Sequence, residues 1–209
     1  TTAQVGTWQD TRRAVSRVGG TPCVIKTNEG THGSGVFLAH TEQQARQLVY
    51  QMLERGLRPL VQEYIRESHG QDIRAFVVGG KVVASMKRKA KGSEFRSNFH
   101  LGGEVEKLAI SDEYAKIACK AAEILGLEIA GVDMLESDRG PLVLEVNSSP
   151  GLEGIEAASG VNVASRIISN LVSLHKSWQE AEEKQQISDS QSDNEEAKGN
   201  CLLYTSPSP

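Results

Sequence analysis

Asp133, Glu145 and Asn147 form the most chemically specific group in this chain. Glu145 and Asn147 stand two apart in a strand-like run, so their side chains leave the same face. A hairpin centred on Arg139 sets Asp133 opposite Glu145. Asp138-Arg139-Gly140 then forms a three-residue loop, with Gly140 in the left-handed position. Directly opposed side chains start ~4.5–5.5 Å apart, where like charges repel. Two facing carboxylates and an amide oxygen are reconciled by a hard cation. Magnesium takes one or two carboxylates and completes its shell with phosphate and water. A solvated acidic strand face is the bland alternative. The Asn-Ser-Ser-Pro-Gly turn that follows favours the cation, because it adds a tight and specific backbone.

Two further groups suit phosphate. Glu29-Gly30-Thr31-His32-Gly33-Ser34-Gly35 exposes backbone N–H groups that can approach phosphate oxygens. It lacks the Lys-Ser/Thr pair and following helix of a P-loop, and it leads into a strand rather than a dinucleotide-binding helix. Lys26 ends the preceding strand and can reach a phosphate as a point charge. Lys87, Arg88, Lys89, Lys91 and Arg96, followed by Ser97-Asn98, form a basic stretch. Lysines on an edge strand often serve only to discourage aggregation. Beside two acids and a metal they would clamp a transferring phosphoryl group.

The elements that must hold these residues alternate between strand and helix. The pattern predicts a helix over Thr7–Val18 and strands at Pro22–Lys26 and Val36–Ala39. A helix after the Thr41-Glu42-Gln43-Gln44 capping box carries Ala45, Leu48, Val49, Met52 and Leu53 on one face. A strand follows over Pro59–Ile65. Asp72–Val78 and Lys81–Met86 flank Gly79-Gly80 as a hairpin. A helix from Ser111 to Gly126 buries Tyr114, Ile117, Ala118, Ala121 and Leu125. The Asp133 hairpin spans Ile129–Leu135 and Leu142–Val146, and a last helix runs from Asn162 to Trp178 with Ile167, Leu171 and Trp178 on one face.

Composition narrows the function classes. Of 27 acids and 23 bases, seven acids and two bases fall in residues 179–200, which leaves 1–178 nearly neutral. That argues against direct nucleic-acid binding through bulk charge. No apolar run reaches the ~18 residues of a spanning helix, so no membrane role is expected. Cys23, Cys119 and Cys201 show neither a metal spacing nor a disulfide framework, so a reducing, cytoplasmic setting is the expectation. Thr1-Thr2-Ala3-Gln4 lacks an initiator Met and reads as the start of a fragment. Residues 179–200 read as a fraying helix end followed by a disordered acidic tail. Residues 199–209 match nothing before them and read as a non-native end, similar to translated adaptor sequence.

In order along residues 7–176, these segments resemble the ATP-grasp family in its RimK-like glutamate-ligase branch. Val24-Ile25-Lys26 with the glycine loop looks like the nucleotide loop, and Val61-Gln62-Glu63-Tyr64-Ile65 like the adenine-binding linker. Gly70-Gln71-Asp72-Ile73-Arg74, Lys89-Ala90-Lys91, Phe95-Arg96-Ser97-Asn98 and Ala130-Gly131-Val132-Asp133 follow in the family's order. The run from Glu145 through Asn147-Ser148-Ser149-Pro150-Gly151 to Glu156 is the most specific.

The resemblance implies an α+β ATP-grasp fold: two α/β subdomains with antiparallel sheets holding ATP between them. The nucleotide-binding subdomain covers about 20–65 and the metal-binding core about 66–178, and the family's N-terminal domain is absent. It implies that Lys26, with the Gly33-Ser34-Gly35 loop, meets ATP phosphates, that Glu63 and Tyr64 hold adenine, and that Asp72 faces ribose. Arg96, Ser97 and Asn98 would bind the phosphate end, with Arg88 and Arg96 as the catalytic cations. Asp133, Glu145 and Asn147 would ligate two magnesium or manganese ions. The implied reaction joins glutamate to an acceptor carboxylate, that of a small-subunit ribosomal protein's C-terminus, through an acyl phosphate. A coenzyme or an amino-group carrier protein as acceptor stays open, as do nucleotide binding without turnover and the oligomeric state.

Overall fold

The computed structural model describes residues 1–27, 35–92 and 103–201, with side chains described through 185. It divides into two compact units, Thr1–Val163 and Ala164–Pro209.

The first unit is built on two antiparallel sheets. The smaller has strand order β1-β4-β2-β3, from Thr2–Gln4 (β1), Cys23–Thr27 (β2), Val36–Ala39 (β3) and Pro59–Glu63 (β4). Alternation decides its two faces. Cys23, Ile25, Ala39 and Val61 are fully buried and share a core with Ala14 and Val15 of α1 (Thr11–Arg17). Ala45, Val49 and Met52 of α2 (Glu42–Glu54) complete that core, with Leu48 and Leu53 packed against it. The predicted apolar stripe is thus the buried one. Val24 and Lys26 fall on the face away from these helices.

The start of α2 follows the expected capping chemistry with one shift. The Gln44 N–H donates to Thr41 Oγ1 at 3.2 Å. In return Gln44 Oε1 accepts from the His40 N–H at 2.9 Å, one residue before the cap. The predicted helix over Thr7–Val18 is a 3-10 turn at Trp8–Asp10 followed by α1.

The larger sheet has order β7-β6-β5-β8-β9. Its strands are Gln71–Val78 (β5), Lys81–Lys89 (β6), Glu104–Lys107 (β7), Ile129–Leu135 (β8) and Leu142–Asn147 (β9). Gly79 and Gly80, at φ 58° and 71°, supply the two left-handed residues a tight hairpin needs. Ile73, Ala75, Val77, Ala130, Val132 and Met134 form a core with Ala118 and Ala122 of α3 (Asp112–Ile124). Leu125, predicted to be buried, is 56% exposed, because it lies at the C-cap beyond the last packed turn. The alternate residues of β5, β6, β8 and β9 face away from α3 and include Asp72, Arg74, Arg88, Asp133 and Glu145. The short helix α4 (Glu153–Ser159) packs against β6 and β7.

Asp133 pairs with Glu145, as expected, by a different route. Near the turn, Leu135 pairs with Leu142 and Met134 with Val143. The register then shifts by one between Met134 and Asp133, and the extra residue Leu144 restores the Asp133–Glu145 pair. The loop is therefore 136–141 rather than three residues. Gly140 is left-handed at φ 89°.

The second unit is the helix α5, Val163–Cys201, taken from Ala164 onward. The expectation of disorder past Trp178 does not hold through Cys201. Polarity removed the packing signal, but Glu, Lys, Gln and Ala are good helix formers without it. Trp178 is 66% exposed and Leu171 47%, while Ile167 is half-buried. No helix among the described residues is long and apolar enough to cross a membrane.

Two substitutions test this packing. Thr41→Ala is expected to cost about 1 kcal/mol by removing the α2 cap. A Cβ added at Gly131 would lie 2.7 Å from Pro150 Cβ, so Gly131→Ala is expected to cost about 1–3 kcal/mol through overpacking. Urea denaturation of both variants measures these losses.

Candidate nucleotide and metal site

The charged face of the larger sheet is a chain of alternating signs. Asp72 of β5 stands opposite Arg88 of β6, and Arg74 of β5 opposite Asp133 of β8. Arg88 Nε and Nη2 donate to Asp72 Oδ1 and Oδ2 at 2.6 and 2.7 Å. Arg88 Nη2 also donates to Asp133 Oδ2 at 2.7 Å. Arg74 Nε and Nη2 hold Asp133 Oδ1 and Oδ2 in a second fork at 2.6 and 2.7 Å.

Asp72, Arg88 and Asp133 are 4%, 5% and 3% exposed, so these charges exist only because they are paired. Burial works against the Arg88 charge. The carboxylates of Asp133 and Asp72 more than offset it and raise its pKa further above the ordinary arginine range.

Glu145, across from Asp133 on β9, is exposed, and its carboxylate has no hydrogen-bond or ion-pair partner among the described residues. Asn147 sits opposite Gly131, and its buried Nδ2 has no hydrogen-bond partner among the described residues. Lys26 belongs to the smaller sheet. Burial lowers its pKa, and the charge of Glu145 acts on it in the opposite direction. Lys26 therefore lies within electrostatic reach of Glu145.

The donor set fits a hard cation. It offers oxygen ligands from two facing carboxylates and an amide, and the Glu145 carboxylate is uncommitted among the described residues. No group of three His, Cys, Asp or Glu side chains that could hold a metal gathers among the described residues.

The connector between the sheets is held by the loop 136–141. Arg139 Nη2 donates to Glu63 Oε1 at 2.6 Å, the Asp138 N–H to Glu67 Oε1 at 3.2 Å, and Ser68 Oγ to the Glu136 carbonyl at 2.8 Å. Lys87 Nζ reaches Glu136 Oε2 at 2.5 Å. The Glu63 N–H donates to the Thr1 carbonyl at 2.9 Å. The Tyr64 hydroxyl and His69 Nδ1 share a hydrogen bond, with their rings edge to face.

Of the expected site residues, the structure brings together Asp72, Arg88, Asp133, Glu145 and Asn147 on one sheet, with Lys26 within electrostatic reach of Glu145. Asp72 is buried against Arg88 rather than turned outward to meet a ribose. Gly35 is described at φ 85°, at the start of β3. Gly33, Ser34, Arg96, Ser97 and Asn98 lie outside the described residues. Arg74, which residue types alone do not single out, belongs to the same charged row. The signal was present, because an arginine two residues after Asp72 must share its face.

Residues 2–171 match the family described as the RimK-like ATP-grasp domain. The chain is 55% identical over 154 residues to a "Probable alpha-L-glutamate ligase" of Aeromonas salmonicida (strain A449), covering 74% of this chain and 52% of that protein. It spans about half the length of the curated relatives it matches. Among solved structures it resembles the ATP-grasp ligase PsnB complexed with a phosphomimetic precursor variant, Mg and ADP. That likeness has a TM-score of 0.63 at 23% identity, over 83% of this chain and 52% of that one. It also resembles D-alanine–D-alanine ligase from Bacillus anthracis complexed with ATP, with a TM-score of 0.63 at 21% identity, over 85% and 61%. These likenesses establish the ATP-grasp fold, and with the match over most of its length the chain belongs to the RimK-like ATP-grasp family.

Proposed function

We propose that this chain carries the nucleotide- and metal-handling site of an ATP-dependent carboxylate–amine ligase that adds glutamate to an acceptor carboxylate. The observation that carries this reading is the Asp133–Glu145 pair, flanked by two guanidiniums and within electrostatic reach of Lys26. The relatives' name, "Probable alpha-L-glutamate ligase", supports glutamate as the amine. The C-terminus of a small-subunit ribosomal protein is the acceptor we favour, on the resemblance of the motif set alone.

The acceptor carboxylate attacks the γ-phosphorus of ATP, the bond to the β-phosphate breaks, and an acyl phosphate and ADP result. The amine of glutamate then attacks the acyl carbon, phosphate leaves, and the amine loses a proton as the amide forms. Within this scheme Lys26 holds a phosphate as a point charge. The linker Glu63-Tyr64 takes the adenine. Glu145, Asn147 and the remaining capacity of Asp133 would hold two divalent cations, magnesium or manganese. Such cations neutralise the triphosphate and orient it for attack when bound. Arg88 lies close enough to the Asp133 carboxylate to lend positive charge to the transferring phosphoryl group, and Asp72 keeps it in place.

Thermal melting with ATP and magnesium tests the reading. Ligand at 100 times its dissociation constant is expected to add about 2.7 kcal/mol to the stability of the wild-type chain. Glu145→Ala is expected to lose that gain while melting normally without ligand, because its carboxylate is exposed. No gain in the wild type, or an equal gain in the variant, would contradict the assignment.

A further inference from the structure

We propose that Arg74 is a positioning residue for the cation site, fixing the Asp133 carboxylate so that one oxygen lone pair on Oδ1 remains for a metal. This inference deepens the proposed function and rests on it.

A carboxylate has about four acceptor positions, two on each oxygen. Among the described residues, Asp133 Oδ2 receives both Arg74 Nη2 and Arg88 Nη2, which fills it. Oδ1 receives Arg74 Nε alone. One position is left, and it belongs to the oxygen that only Arg74 holds.

Two features make Arg74 a rigid support. Its side chain is 15% exposed, and its forked geometry fixes the plane of the carboxylate as well as its place. Gly131 keeps open the space in which both Arg74 and Pro150 lie. A Cβ there would be 3.8 Å from Arg74 Nε and 2.7 Å from Pro150 Cβ. Arg74 and the Pro150 turn thus both lie against Gly131. Without Arg74, the nearest remaining partner of Asp133 is Arg88, which already donates to Oδ2. The carboxylate would then be held, among the described residues, by Arg88 alone, through Oδ2.

The charge count sharpens the test. Asp72, Arg88, Asp133 and Arg74 sum to zero, and removing the Arg74 charge leaves one net negative charge beside the cation site. If Arg74 acted only by charge, Arg74→Gln would tighten cation binding and Arg74→Lys would leave it unchanged. A positioning role weakens binding in both, since Lys keeps the charge and loses the fork. Loss of an outer support of this kind weakens metal binding by roughly 10- to 100-fold.

The experiment is Mn2+ binding to the full chain in saturating ADP, read from the EPR signal of free Mn2+, with folding checked by circular dichroism. Wild type is expected to bind, and both variants to bind roughly 10- to 100-fold more weakly. Unchanged or tighter binding in a folded variant overturns the positioning role and leaves the ligase reading intact. No Mn2+ binding by the wild type overturns both.

A measurement on the wild type covers the case in which the variants do not fold. The Arg74 Nε–H resonance is expected to stay protected from exchange when Mg2+ and ADP are added, because the metal shares Asp133 with Arg74. Loss of that protection would mean that the metal replaces Arg74, and would overturn the inference.

Discussion

The buried alternation Asp72–Arg88–Asp133–Arg74 is the interaction on which the rest of the larger sheet depends. Three of its four members are almost completely removed from water. An isolated ion there would be prohibitive, and breaking a buried pair by removing one partner costs about 3–5 kcal/mol. The four side chains come from three neighbouring strands, β6, β5 and β8, so the network closes only in one register. A slip of one residue in any of these strands would turn its charges onto the face that packs against α3. The network therefore ties the site to the fold, because the arrangement that satisfies the charges is the one that presents Asp133 to Glu145.

Each sheet divides its labour between two faces. α1 and α2 cover one side of the smaller sheet and α3 one side of the larger, using small residues such as Ala45, Ala118 and Ala122 for close approach. The opposite faces carry Lys26 and the charged row. The bulge at Leu144 belongs to the same design. It moves Glu145 by one position relative to the turn, which brings it level with Asp133 and places Asn147 beside Gly131 and the Pro150 turn. A regular hairpin from Leu135–Leu142 would have paired Asp133 with Leu144, on a register that brings no second acid across from it.

Much of this was legible from residue types and spacing. The Gly79-Gly80 hairpin, the stripe of α2 and the strands around Cys23 and Val36 follow local rules that tertiary contacts did not override. The Asp133–Glu145 pairing was also legible, although symmetry about Arg139 located it without the bulge. β1 and β7 were not. They are three and four residues long, and they exist because β4 and β6 offer free edges, which is non-local information. The charge network was hidden for a similar reason. Arg74 and Arg88 each look like an exposed strand cation until the strands are placed side by side. The helical stretch beyond Trp178 was lost because absence of an apolar stripe was read as absence of structure, while helix propensity does not need a stripe.

The most direct test of a shared cation site on the charged face is to locate the cation. Crystals of the chain grown with ADP and Mn2+, measured at the manganese absorption edge, would mark the metal by its anomalous signal. The expected result is a peak between the Glu145 carboxylate and Oδ1 of Asp133, with the ADP phosphates on the Lys26 side and Arg74 still forked onto Asp133. A peak remote from Glu145, or ADP bound with no metal at this face, would contradict it.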